Sequence, residues 1–174
     1  VIGSGREVGQ RLNAALPGNG FPLHDDARPA MLIAGGIGIT PIRAMAHALQ
    51  ESGRDFRLHY AARSYREMAW ADDLAQRFSP SLSRYFSETG PRLDIDPLMR
   101  DAPPDALFYV CGPARLIDAV RAAAERHGAA DRVRSERFAP ERRGGDAPIA
   151  VELRRSIERE RGEAAPRGDP EIPG

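Results

Sequence analysis

The chain has 174 residues, enough for one ordinary domain with a proper hydrophobic core. Its 25 Lys and Arg residues balance 25 Asp and Glu, so no global charge recruits nucleic acid or an anionic membrane. A single cysteine, Cys111, excludes an internal disulfide and any cysteine-clustered metal or iron–sulfur site built by these residues alone.

The four histidines, His24, His47, His59 and His127, lack metal-ligand spacing, and no metal site is expected. The longest apolar runs fall far short of a membrane span, and the first residues are not a signal peptide. A reducing cytoplasm is the expected setting, with no membrane and no nucleic acid as partner. The chain starts at Val1 rather than Met, and both ends are read as possible cuts in a longer protein.

In chain order, Val1 to Gly9 contains G-x-G-x-x-x-G. It is discounted as a dinucleotide fingerprint, because only Val1 and Ile2 remain to precede it as a strand. Leu16 to Leu23 is rich in turn residues, with Phe21 and Leu23 available to pack. His24 to Pro29 reads as a polar linker. Met31 to Ala34 is a short apolar run, as a fully buried parallel strand would be. Gly35, Gly36 and Gly38 then remove β-carbons where a sharply turning chain must approach something closely. Thr40 is expected as the N-cap of a helix and Pro41 as its first residue, with Ile42, Met45, Ala46 and Leu49 on its buried face. A helix N-terminus carries unpaired N–H groups and partial positive charge, so it can hold a phosphate. The alternative is a bare turn between a strand and its crossover helix. The stretch is neither a P-loop, since no Lys follows the glycines, nor G-x-G-x-x-G.

Gly53 is expected to cap the first helix at its C-terminus. Phe56 to Ala62 is the second strand. Ser64-Tyr-Arg-Glu67 has the form of a capping box and is expected to start a helix with Met68, Ala71, Leu74 and Ala75 on one face. Ser83 to Glu88 is the third strand, and Leu93 to Arg100 a short helix placing Leu98 and Met99 on the core. Pro103-Pro104 breaks the chain. Ala106 to Cys111 is the fourth strand, ending at Gly112-Pro113. Ala114 to His127 is a helix with Leu116, Ile117, Val120, Ala123 and Ala124 inward and Gly128 as its stop. Arg132 to Phe138 is a fifth short strand.

This alternation predicts an α/β fold, a five-stranded parallel sheet with helices on both faces and right-handed crossovers. Ligands in such sheets bind beyond the carboxyl ends of the strands, at the switch point. That rule puts Gly35 to Thr40, Ala62 to Ser64 and Cys111 to Pro113 on one rim. From Pro140 the composition turns polar, and Arg154 to Gly174 is charged with Pro166, Pro170 and Pro173, so disorder is expected there.

The ordered loops resemble the ferredoxin–NADP reductase superfamily, most closely the reductase components of Rieske-type dioxygenases and O-demethylases (phthalate dioxygenase reductase and vanillate demethylase reductase). The matching residues are Pro17, Asn19, Phe21, Pro22 and Leu23, then Leu32 to Pro41, then Tyr60 to Ser64 with Ala71-Asp-Asp-Leu74. Tyr109 to Pro113 and Glu136-Arg-Phe138 close the series. The resemblance covers Val8 to Phe138.

It implies a nicotinamide-dinucleotide site, the flavin-binding and ferredoxin domains as neighbours, and a terminal oxygenase as partner. Gly35, Gly36, Ile37, Gly38, Thr40 and Pro41 would cradle the pyrophosphate. Arg63 and Ser64 would meet the adenosine ribose, where Arg63 and Arg66 leave both NADH and NADPH open. Cys111, Gly112 and Pro113 would hold the nicotinamide, with Cys111 positioning it rather than acting as a nucleophile. Phe138 would lie near flavin and nicotinamide, or else close the core. Residues 1–28 are expected to be the tail of a flavin-binding barrel and 29–139 the NAD(P)-binding domain. Residues 140–174 would be a linker and tail, where Ile149 to Ile157 resembles the opening strand of a ferredoxin-like domain. The flavin motif R-x-Y-[ST] and the four cluster cysteines are absent. FMN or FAD and a [2Fe–2S] centre are therefore expected of the intact enzyme and not of these residues alone. The competing expectation is a remnant or nucleotide-binding interaction module without turnover.

Overall fold

The computed structural model describes residues 18–138. The expectations placed on Val1 to Pro17, on the stretch from Pro140 and on Ile149 to Ile157 lie outside them.

The described elements run β1 (Ala30–Gly35), α1 (Ile39–Glu51), β2 (Phe56–Ala62), α2 (Ala71–Phe78), β3 (Leu82–Phe86), α3 (Ile95–Arg100), β4 (Leu107–Cys111), α4 (Ala114–Arg126) and β5 (Val133–Glu136). The strands form one sheet in the order β3-β2-β1-β4-β5, and every neighbouring pair is parallel. This is the expected architecture.

The apolar run at Met31 to Ala34 follows from this order. β1 is central, so both of its faces are covered and every residue of it is buried. Leu32 and Ala34 point into a core shared with Ile42, Met45, Leu49, Leu74 and Phe78 from α1 and α2. Met31 and Ile33 point the other way, among Leu98, Ile117 and Val120 from α3 and α4. β4 divides alike, with Tyr109 and Cys111 on the first face and Phe108 and Val110 on the second. The chain winds outward from β1 to β3, returns across the sheet to β4, and winds outward the other way. With right-handed crossovers, reversing the direction of winding moves the helices to the opposite face.

Several local expectations are corrected. Thr40 is not the N-cap, because residues Gly36–Gly38 coil into a 3-10 turn that runs directly into α1. The helix therefore starts at Ile39, Pro41 is its third residue, and the Thr40 hydroxyl donates to the Ile37 carbonyl at 3.1 Å. The Ser64 capping box does not form. Ser64 is extended with no side-chain cap, and only a 3-10 turn, Tyr65–Glu67, follows it. Glu67 pairs with Arg63 at 3.8 Å instead of reaching back to Ser64. The helix begins at Ala71, so Met68 is buried from a loop rather than from a helix face.

At the end of α1 the capping residue is Ser52, with Gly53 one residue beyond it. The N–H groups of Gly53 and Arg54 donate to Gln50 and Leu49, a Schellman closure. β3 and β5 are shorter than expected, and β5 ends two residues before Phe138. The segment His24 to Pro29 is not a loose linker. The His24 N–H donates to the Tyr109 hydroxyl at 2.9 Å, and Arg54 donates to the carbonyls of His24 and Asp26.

Candidate functional site

The sheet order places the switch point between β1 and β4, so the loops that follow these two strands meet. Gly38 lies so close to the end of β4 that an added β-carbon would be 2.1 Å from the Cys111 carbonyl oxygen and 2.6 Å from the Gly112 nitrogen. A β-carbon on Gly35 would be 2.9 Å from Pro113 and 2.8 Å from Leu116, and one on Gly112 would meet the Gly35 backbone at 3.0 Å. Gly35, Gly38 and Gly112 are thus required by the packing of one loop on the other. Gly36 differs. Its φ is +54°, and nothing lies within 4 Å of the direction its side chain would take. It is the glycine of this loop that faces open space, in a left-handed backbone that glycine adopts without strain.

A buried hydroxyl fixes that glycine. Tyr60 on β2 is fully buried, and its hydroxyl donates to the Gly36 carbonyl at 3.1 Å and accepts the Ala69 N–H at 3.2 Å. Burial raises the phenol pKa, and the Ala69 N–H works against that rise. The sequence offered a signal for this role, since a tyrosine in a wholly buried strand position needs a partner for its hydroxyl. Tyr60→Phe should lower stability by about 1–2 kcal/mol, because it leaves the Ala69 N–H without that acceptor. A urea unfolding midpoint indistinguishable from the parent would show that the Tyr60 hydroxyl does not hold Gly36 and Ala69 in place.

The electrostatics at the N-termini of α1 to α4 divide along the same line. α2 carries Asp72 and Asp73 in its first turn, and α3 is capped by Asp94 with Asp96 behind it. α1 and α4, which start from the two interlocked loops, have no acidic residue in the first turn and no side-chain cap. Their partial positive ends are left for an anion from elsewhere.

Cys111 is fully buried in the core against the first face. Burial, and then Glu136, push its thiol up to about 11, against a lowering by the Gly112 N–H. It stays protonated at neutral pH and is no nucleophile. What it offers the rim is its carbonyl and the turn after it. Pro113 is exposed there. Arg63 and Ser64 follow β2 on the same edge of the sheet. The Arg63 side chain is 72% exposed, so its pair with Glu67 is weak. Phe138 is 51% exposed, which rules out the core alternative. Ile37, at the tip of the glycine turn, is also exposed. A cavity of about 500 Å3 lies at the opposite edge, where the strands begin, among Arg54, Phe56, Arg57 and Arg77. It has no part in this rim.

Sequence reasoning passed over Trp70. It is 44% exposed, it has φ +55°, and the Arg43 guanidinium lies 5.1 Å from its ring centroid. As the lone tryptophan of the chain, standing exposed at a helix start, it could have been singled out.

No protein-family model matches the chain. Named relatives do. The chain is 42% identical over 143 residues to the carnitine monooxygenase reductase subunit of Escherichia coli, covering 81% of this chain and 44% of that protein. It is 34% identical over 124 residues to the vanillate O-demethylase oxidoreductase of Acinetobacter baylyi, covering 71% of this chain and 39% of the other. Among solved structures it superimposes on phthalate dioxygenase reductase, described as a modular structure for electron transfer from pyridine nucleotides to [2Fe–2S]. That match has TM-score 0.65 and 34% identity, over 71% of this chain and 40% of the other. The chain thus spans less than half the length of these relatives.

Proposed function

The chain belongs to the ferredoxin–NADP reductase superfamily, and from that premise we propose that it is the NAD(P)H-binding part of a flavin-dependent electron-transfer reductase serving an oxygenase. When the groups are bound, the nicotinamide supplies a hydride to FMN or FAD, and a [2Fe–2S] centre passes single electrons onward. With one cysteine in these 174 residues, the iron–sulfur centre cannot be held by four thiolates of this chain. It is assigned to a ferredoxin domain of the same enzyme, as the flavin is to a barrel domain.

The observation that carries the proposal is the meeting of two acid-free helix N-termini at the switch point, with Gly36 open between sheet and solvent. A dinucleotide has a pyrophosphate at its centre, and these positive ends are suited to it. Gly35, Gly36, Ile37, Gly38, Thr40 and Pro41 form that cradle. Arg63 and Ser64 take the adenosine ribose. Cys111, Gly112 and Pro113 orient the nicotinamide through backbone, and exposed Phe138 shields it from water at the flavin side. Every one of these roles is binding or orientation, since hydride transfer requires no protein nucleophile.

Among the described residues, no helix is long and apolar enough to cross a membrane. A cytoplasmic setting, where NAD(P)H is supplied, is part of the proposal and rests on the dinucleotide reading of the rim. Calorimetric titration of the purified chain with NADH and NADPH should give saturable one-to-one binding of at least one of them. Failure of both to bind would overturn the proposal.

A further inference from the structure

We infer that Trp70 is the platform on which the adenine ring of the dinucleotide stacks, with Arg43 as the cation that holds the indole in place. The inference rests on the reading of the rim as a dinucleotide site.

Trp70 is the only residue other than glycine with positive φ among the described residues. It stands at the N-cap of α2, where its carbonyl accepts the Leu74 N–H at 2.9 Å and its side chain makes no cap hydrogen bond. Glycine or asparagine would satisfy that backbone at less cost. A bulky aromatic there gains nothing for the helix start, so the conformation is explained by what the ring does. Nor is the ring explained by the core, because 44% of the residue is exposed.

The ring is nevertheless held. Arg43, in the second turn of α1, lies 5.1 Å from the ring centroid. Its guanidinium is fixed in turn by Asp73, through Nη2 to Oδ2 at 3.0 Å and Nε to Oδ2 at 3.3 Å. A guanidinium on one face of an indole, pinned by a carboxylate, keeps the ring from collapsing onto the surface. The exposed remainder is an aromatic surface with no partner among the described residues.

Position then identifies the occupant. One hydroxyl, that of Tyr60, bonds both the Gly36 carbonyl and the Ala69 N–H. The residue before Trp70 and the open glycine are thereby fixed to the same atom. Arg63 and Ser64, which follow β2, lie in the chain between Tyr60 and Trp70. A ligand with its pyrophosphate at Gly36 and its ribose at Arg63–Ser64 carries its base on toward the next exposed planar surface. Tyr65 and Trp70 are the exposed aromatic rings that follow, at 46% and 44%, and a purine is a planar π-system that stacks on indole without needing a specific hydrogen-bond code. The neighbouring Tyr65 is less available. Its hydroxyl donates to Asp72, and Arg84 and Phe86 pack on its ring.

Because Trp70 is the sole tryptophan, its emission reports on this position alone. The full chain is titrated with ADP-ribose, with NADH and with nicotinamide mononucleotide. ADP-ribose and NADH are expected to quench the emission, and the mononucleotide to leave it unchanged. Trp70→Gly relieves the backbone and should leave the melting temperature undiminished, while weakening ADP-ribose binding about tenfold by calorimetry, the scale of one lost base stack. Trp70→Phe should recover most of that loss. Unquenched emission on saturation with ADP-ribose, or full affinity in Trp70→Gly, overturns the stacking role while the dinucleotide site stands. If neither NADH nor ADP-ribose binds the unaltered chain, the reading of the rim fails and this inference with it. The quenching measurement uses the unaltered protein, so it decides the matter even if a variant misfolds.

Discussion

Gly38→Ala is expected to destabilise the domain by more than about 3 kcal/mol, beyond the usual range for overpacking, while Gly36→Ala costs about 1–2 kcal/mol and loses dinucleotide binding instead. The two glycines are two residues apart and do opposite work. A β-carbon on Gly38 would sit 2.1 Å from the Cys111 oxygen and 2.3 Å from its carbonyl carbon. Both atoms are backbone at the end of β4, and Cys111 is in register with Ala34 of β1. Neither strand can yield without opening the centre of the sheet. At Gly36 the new methyl meets nothing within 4 Å, and only the left-handed φ is strained. That methyl would instead project where the pyrophosphate is proposed to lie. Urea unfolding and NADH titration on the same two variants separate the effects. A normal unfolding midpoint for Gly38→Ala would show that the loops are not interlocked. Unchanged NADH affinity in a folded Gly36→Ala would refute the pyrophosphate assignment.

This contrast marks what could be read in advance. The five strands and the inward faces of α1 and α4 were legible, because apolar runs and 3.6-residue periodicity come from burial, and burial is imposed by the whole sheet. The rim was legible too, because the switch-point rule depends on strand order and not on detail. What the glycines do was only half legible. Gly35 and Gly38 share the motif with Gly36, yet they serve contact with Gly112, Pro113 and Leu116, partners more than 70 residues away that no local pattern contains. Helix starts were misplaced for a related reason. Ser64 to Glu67 has the letters of a capping box, but Arg63 takes the glutamate and the Tyr60 hydroxyl takes the Ala69 N–H. A hydroxyl nine residues back thus reshapes the entry to α2 and leaves Trp70 at its N-cap. Local propensity was overruled there by one buried polar group that had to be satisfied.

Acid should destabilise the fold in two separable steps, and the upper one belongs to His59. This residue sits on β2 with Nδ1 hydrogen-bonded to the Tyr85 hydroxyl at 2.9 Å, and its Nε2 is buried with no partner among the described residues. Burial, and secondarily the charge of Arg57, lower its pKa to about 4 from 6.5. The folded state therefore resists a proton that the unfolded chain accepts. Above pH 6.5 neither state binds it. As pH falls from 6.5 to about 4 the unfolded chain gains protons first, and stability drops by about 3 kcal/mol. Below that both states are protonated and the contribution of His59 is flat.

Carboxylates act in the window beneath. Hydrogen bonds from Arg28 hold Asp26 down to about 2, and those from Arg126 and His127 lower Asp96. Their stabilisation is present above the ordinary carboxylate range and is lost as pH falls through the lowered values. Being solvent-exposed, these pairs contribute little. His59→Phe keeps a ring stacked near Tyr85 and removes both the titration and the unpaired Nε2. Its urea midpoint should stay level from pH 6.5 to 4, where the parent falls, and the two curves should run parallel below pH 4. A variant that falls with the parent would assign the upper step to another group, and a parent curve that is flat over that window would mean that His59 opens to water before it charges. The second face of β2 would then be far less closed than its packing implies.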